Sequence, residues 1–394
     1  MKKVFLILVL FLSGLCFSVD VKIGENREII VDGKKFFPVM SWVQPVALFE
    51  ENKSIGVNVF VGQGARGEKP KEFLDACLKA GVYGAISIDS VEEENIVKEV
   101  KDHPALLFWW LPDEPDNYGR GKLPKYTPEE IKGLYEMIKR NDPNHPVFVN
   151  FGSGLGTGNL PIPGRKYLEY MPYCDGLSTT GSYPENAPGE PKELFNKARA
   201  MKYLVKFDTT KKKPLTQWIG LSYIGAETQN PDPTARGPKP EEVKAQIWMC
   251  IVEGATGIGF FPHSWSTPDK PNERNYTQFR VDENVKKEVK KVTDQIKELT
   301  PVILSPNSTK TVKVTNLEET DVNILLKEKG DELYIFASNE RPREGKVKFE
   351  IDPSIKVLSV KVYGENREIK LDKNSFEDSF KIFEPHIYVV KFSK

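Results

Sequence analysis

Eight short apolar segments, most of them followed by a loop and an amphipathic helical pattern, limit the folds open to this chain. They read FFPVMSW, VNVFVGQ, YGAISID, ALLFWWL, PVFVNFG, CDGLSTTGSYP, PLTQWIG and GIGFFPHSW. Helical patterns such as PKEFLDACLKAG, TPEEIKGLYEMIKRND and PKPEEVKAQIWMCIVEGA lie between them. Strands that are apolar nearly throughout and alternate with helices are covered on both faces, which implies a buried parallel sheet. Eight such units over about 270 residues match the size of a (β/α)8 barrel. A doubly wound sheet would normally carry a Gly-rich phosphate loop after its first strand. This chain has Ser41-Trp42-Val43-Gln44-Pro45 there, without a glycine. GSGLGTGNL after the fifth segment has no lysine, and no strong helical pattern opens behind it, so it reads as a substrate-side loop.

The periodicity differs at both ends. Lys2 and Lys3 precede VFLILVLFLSGL, a run of signal-peptide length and too short to span a bilayer. Small residues around Ser18 set a cleavage site there; a lipoprotein signal at Cys16 ranks second because Leu15 stands where a small residue is wanted. Apolar runs flanking Asp32-Gly33 then mark a hairpin. Beyond Pro301 the pattern turns to alternating, β-rich stretches such as VNILLKEKGDELYIFASN and HIYVVKF, as in an antiparallel sandwich. The expected division is a leader over 1–18, a barrel with its entry hairpin over 19–302, and a β-sandwich over 303–394. The mature chain is expected to be secreted or periplasmic, with no membrane attachment after cleavage.

Composition excludes some function classes. Lys+Arg and Asp+Glu are both 56, and no basic stripe stands out, which argues against a nucleic-acid partner. Cys77, Cys174 and Cys250 fit neither a disulfide framework nor a metal site and read as buried thiols. The four histidines are scattered without paired spacing, so no catalytic metal is expected, and no cofactor is implied.

In a (β/α)8 enzyme the chemistry sits at the C-terminal ends of the strands. The residues expected there are Trp42, Gln63, Asp89, then Asp113, Glu114 and Asp116, then Asn150 and Ser153, Tyr183 and Glu185, Gln217 and Trp218, and finally His263 and Trp265. The set is rich in aromatics, amides and carboxylates and poor in basic groups. Neutral sugars call for such a set: C–H faces stack on rings, and hydroxyls take paired donors and acceptors. Trp42, Trp110, Trp218 and Trp265 are candidate stacking platforms. Asp116, Tyr183, Gln217 and His263 are candidate polar contacts to an oligosaccharide or polysaccharide.

Several stretches, in order, resemble the clan A-like (β/α)8 glycoside hydrolases: VDGKKFFPV, DHPALLFWWLPDEPD, Tyr183-Pro184, EGATGIGFFPHSW and the closing SFEDSFKIFEPHIYVVKF. By that resemblance Glu114 matches the general acid/base at the end of strand four. The residues agree: Trp109, Trp110 and Leu111 offer apolar surroundings and Asp113 a neighbouring charge, and both raise a carboxyl pKa. The chain also departs from the pattern. Gln217 stands where these enzymes carry a strand-seven nucleophile Glu, and Asp113 where many carry an amide. An amide forms no glycosyl ester. The readings left open are a carboxylate from another strand (Asp89, Asp113, Asp116 or Glu185), an inverting enzyme with a distant base, or a barrel that binds sugar without cleaving it.

Overall fold

The computed structural model describes residues 18–63, 68–157, 166–181, 194–222, 236–263 and 279–393. Residues 1–17 of the expected leader, with Cys16, and also Tyr183, Glu185 and Trp265 lie outside the described residues.

An antiparallel sheet of Val21–Ile23, Ile29–Val31 and Lys34–Phe36 comes first. Its turn sits at Asp32 and Gly33, both at positive φ as a tight hairpin requires. Each of the eight apolar segments then carries one barrel strand: β1 (Val39–Trp42), β2 (Val59–Val61), β3 (Tyr83–Ser87), β4 (Leu106–Trp110), β5 (Val147–Phe151), β6 (Gly176–Thr179), β7 (Leu215–Gly220) and β8 (Gly257–Phe261). They pair in parallel in one closed ring. The outer layer includes α1 (Phe49–Ser54), α2 (Pro70–Ala80), α3 (Glu94–Val100), α4 (Pro128–Asn141), α5 (Asn196–Phe207), α6 (Pro240–Val252) and α7 (Glu283–Ile303).

Side chains alternate across each strand, so the ring sorts every segment into an inner and an outer set. On β4, Phe108 and Trp110 join the interior cluster with Met40, Val59, Val61, Phe148 and Trp218. Leu106, Trp109 and Leu111 pack instead among the helices. Between β7 and β8 the interior is filled closely. A Cβ at Gly259 on β8 would lie 2.3 Å from the Trp218 ring, so only glycine leaves that indole its place. Outside the ring, the Trp109 indole N–H donates to Asp142 Oδ2 at 2.8 Å, and His145 Nδ1 bonds the same oxygen at 2.8 Å. Burial alone would raise Asp142, but these partners hold it down at about 2. His145 therefore packs below the barrel, as its place before β5 implies.

The sequence pattern at Thr127 forms a full capping box. Thr127 Oγ1 accepts from the Glu130 amide at 3.2 Å, and Glu130 Oε2 accepts from the Thr127 amide at 2.7 Å. Glu130 also takes Lys122 Nζ at 2.8 Å, and Arg120 approaches it at 3.5 Å. The loop leaving β4 is thus tied to the helix that follows it.

After α7 comes the antiparallel part, β9 (Val312–Asn316), β10 (Val322–Lys329), β11 (Glu332–Asn339), β12 (Gly345–Ile351), β13 (Lys356–Val362), β14 (Arg367–Ile369), β15 (Ser375–Phe380) and β16 (Pro385–Ser393). The strands form two sheets, β9-β12-β15 and β10-β11-β16-β13-β14, which share a core around Leu333, Phe349, Val360 and Tyr388. Helix α6 packs on this sandwich, with the Trp248 and Phe336 rings stacked at 6.0 Å. Beside them Glu253, capping α6, faces Glu340, which follows β11; Lys202 of α5 lies 3.6 Å from the first carboxylate and 2.7 Å from the second. Among the described residues no helix is long and apolar enough to cross a membrane.

Burial and the nearby Glu340 push the Glu253 carboxyl up to about 9. The folded state therefore keeps a proton that the unfolded chain gives up in the ordinary carboxyl range. This contribution to stability is complete below about pH 4.5 and is lost as the pH rises through about 9. Thermal melts of the full chain between pH 5 and 9 should show a falling Tm. Glu253→Gln, which stays neutral, should flatten that slope.

Candidate functional site

The exit of β4 is built by backbone geometry and a few hydrogen bonds. Glu114 has φ +47°, in the left-handed region that non-glycine residues seldom occupy. Its amide donates to the Asn150 carbonyl at 3.1 Å, and its Oε2 accepts from Asn117 Nδ2 at 2.7 Å. Gly152 passes close by: a Cβ there would come within 3.1 Å of the Asn117 amide and 3.4 Å of the Glu114 carboxyl carbon. Val43, at the exit of β1, also has positive φ, +42°, a conformation that a β-branched residue resists. Two strained positions thus lie at the C-terminal mouth, where such strain often serves a site.

Asp113 is the companion acid. Its Oδ1 accepts from Asn150 Nδ2 at 2.8 Å, and its carbonyl accepts from Lys125 Nζ at 2.9 Å. Asn150 is 2 % exposed and stands two residues after the inward-facing Phe148, on the same face, so it projects into the barrel. Its second amide proton goes to Thr180 Oγ1 at 3.1 Å. Burial first, then the charge of Glu114, pushes Asp113 up to about 7; Asn150 and Lys125 oppose the rise and Asp89 adds to it. At the exit of β3, Asp89 is itself raised by burial and by Glu93. The mouth between β3 and β5 therefore gathers Asp89, Asp113 and Glu114, with Lys125 as the opposing charge.

Several expected site residues lie elsewhere. Trp109 and Leu111 face the helices, so of the three apolar neighbours expected for Glu114 only Trp110 is inside the ring. Trp110 and Trp218 are buried and pack with Trp42 at centroid distances of 5.3–6.1 Å. They fill the interior rather than offering a face; half-buried Trp42 is the one member of the trio left accessible. Asp116 is fully buried and accepts from the Gly152 amide at 2.8 Å, so it holds the β5 exit loop rather than a ligand. Gln63 bonds both backbone groups of Ser87 and fastens β2 to β3.

Gln217 is also corrected. Strand β7 runs on to Gly220, so Gln217 sits mid-strand, in register with Thr179 and Ile258. Trp218 faces inward, so alternation turns the Gln217 amide to the helix side, where it lies against Gly181. It is fully buried and does not reach the mouth. His263 is at the mouth by position but is fully buried too. Its Nε2 lies 2.7 Å from the Trp42 carbonyl, which requires the proton there. The ring also meets Gln44 Nε2, and Asn52 links Gln44 onward to Ser41. This network joins β8 to β1 and closes the ring with polar contacts. No carboxylate stands on β7 from Leu215 to Ser222.

Asn117 and Lys125 were not singled out from sequence, and Asn150 was noted only as a strand-end residue. Asn117 follows the acidic motif closely enough to have been found; Lys125 returns to Asp113 only through the folded loop. Cys77, Cys174 and Cys250 are buried free thiols, and burial pushes Cys174 and Cys250 up to about 12. Among the described residues no cluster of His, Cys, Asp and Glu is placed to hold a metal ion.

No protein-family model matches the sequence. Solved structures of like architecture do exist. Gan42B, a GH42 β-galactosidase from G. stearothermophilus, superposes with TM-score 0.63 at 10 % identity, over 95 % of this chain and 99 % of that one. An α-amylase from Geobacillus thermoleovorans, complexed with acarbose, gives TM-score 0.57 at 10 % identity, over 90 % and 98 %. α-Galactosidase I from Mortierella vinacea gives 0.53 at 11 %, over 90 % and 96 %. At such identities the likeness speaks for the fold: a parallel (β/α)8 barrel followed by a β-domain.

The raised Asp113 is directly measurable. Carbon-detected NMR titration should place its midpoint near 7. In Glu114→Gln the midpoint should fall, because a repelling charge is gone, yet stay above the ordinary 3.8 because burial remains.

Proposed function

We propose that the chain is an exported glycoside hydrolase that cleaves O-glycosidic bonds of an oligo- or polysaccharide. The observation that carries this reading is the Asp113–Glu114 pair at the lip of β4, where burial and the neighbouring charge of Glu114 push the Asp113 carboxyl up to about 7. A glycosidic oxygen leaves as an alcohol only if it is protonated, so a carboxylic acid that survives at neutral pH is the group this reaction needs. Glu114 is the member expected to meet the glycosidic oxygen, with Asp113 as the adjoining carboxyl. Half-buried Trp42 supplies a face for a sugar ring. The solved structures of like fold, a β-galactosidase, an α-amylase and an α-galactosidase, support a carbohydrate substrate by analogy. Export is read from the apolar leader.

A nucleophile on β7 has no residue to serve it among those described. Water is therefore the proposed attacker at the anomeric carbon. Asp89, the neighbouring mouth carboxylate, is the candidate to take its proton. Such an inverting route needs the acid and base about 6.5–9.5 Å apart. The absence of a carboxylate from β7 also favours a second reading, a barrel that binds carbohydrate without cleaving it.

A glycan-library hydrolysis assay separates the two. Wild type should release sugar, and Glu114→Gln should lower kcat/KM by about 100-fold or more, the usual worth of a general acid. Equal rates in both would remove Glu114 from the chemistry. Sugar binding without release in either would leave the binding barrel.

A further inference from the structure

One wall of the barrel interior is polar. Asn150 on β5, Ser178 on β6 and Thr216 on β7 are register partners across three neighbouring strands. Asn150 and Thr216 share the face of inward Phe148 and Trp218, two residues away, and Ser178 lies opposite outward Leu177, so all three point inward. Trp110 on β4 and Trp218, two residues beyond Thr216 on β7, belong to the same interior face. All five residues are at most 2 % exposed. Yet Asn150 Oδ1, Ser178 Oγ, Thr216 Oγ1 and both indole Nε1 atoms have no hydrogen-bond partner in the protein. The opposite wall, with Met40, Val59, Val61 and Ala85, is apolar. Buried polar atoms are nearly always paired, so unpaired ones on three register-paired neighbours point to a bound polar species. The set is chemically balanced: two pure donors, one pure acceptor, and two hydroxyls that do either. Water matches it, since a buried water makes two to four such bonds and needs no charge to hold it.

We propose that this wall is a built-in hydration site: a small cluster of ordered water bridges Asn150 Oδ1 to the Ser178 and Thr216 hydroxyls beneath the acid pair. Asn150 joins the two. Its amide nitrogen donates to Asp113 while its oxygen faces the cluster. A water donating to that oxygen strengthens the amide as a donor, because hydrogen bonds in a chain polarise one another. The cluster thereby favours the ionised form of Asp113. This holds whether or not the barrel cleaves glycosides.

A crystal structure of the full chain at 1.5 Å or better, with Ser178→Ala, Thr216→Val and the double variant, tests it. Ordered density should lie within hydrogen-bonding distance of both hydroxyls. Each single variant should lower Tm by about 2 °C. The double variant should lower Tm by less than the sum, since one cluster serves both groups, and should raise the Asp113 midpoint. A dry wall overturns the site, as do variants that melt at or above wild type, the result expected when an unpaired hydroxyl is simply removed. An unmoved Asp113 midpoint overturns the link to the acid pair.

Discussion

Closure of the parallel ring is the constraint on which the rest depends. Once eight strands pair around a full circle, the pleat gives each residue one of two addresses, interior or helix layer. Trp218 settles the matter for β7 by entering the space that Gly259 leaves open. Gln217 then has no route to the mouth. On β4 the same rule separates Trp109 from Trp110, adjacent and chemically alike, into different cores.

The ring also explains why two carboxyls can coexist at one lip. Asp113 is drawn toward the interior by the Asn150 amide, while Glu114 is turned aside by its left-handed backbone and held by Asn117. Burial and the charge of Glu114 then raise the Asp113 carboxyl instead of expelling it to solvent. The loop that carries them is braced from both ends, by Lys125 on the Asp113 carbonyl and by Glu130 on Lys122. Together these contacts hold both carboxyls in place.

Much of the fold was legible in the sequence because it is written in continuous apolar runs. All eight strands fall within the segments read as strands, and the capping box at Thr127 forms as its spacing implies. The site was legible only in outline. An apolar run marks where a strand passes but not where it ends, so Gln217 was placed at a lip that lies beyond Gly220. Nor does a strand-end position reveal partners far along the chain. His263 meets Gln44 and Trp42, 219 and 221 residues away, and those contacts bury it. Asp116 was read as a ligand-facing acid because it belongs to the same acidic motif as Glu114. Its service to the Gly152 amide depends on how the β5 loop returns.

The stacking of Trp248 on Phe336, with Glu253 set against Glu340, has a consequence for where such a chain can be cut or extended. Recombination that trimmed away the terminal module would uncover an indole and leave a lysine and a glutamate without their third member. Their junction is therefore a poor place for a break or an inserted linker.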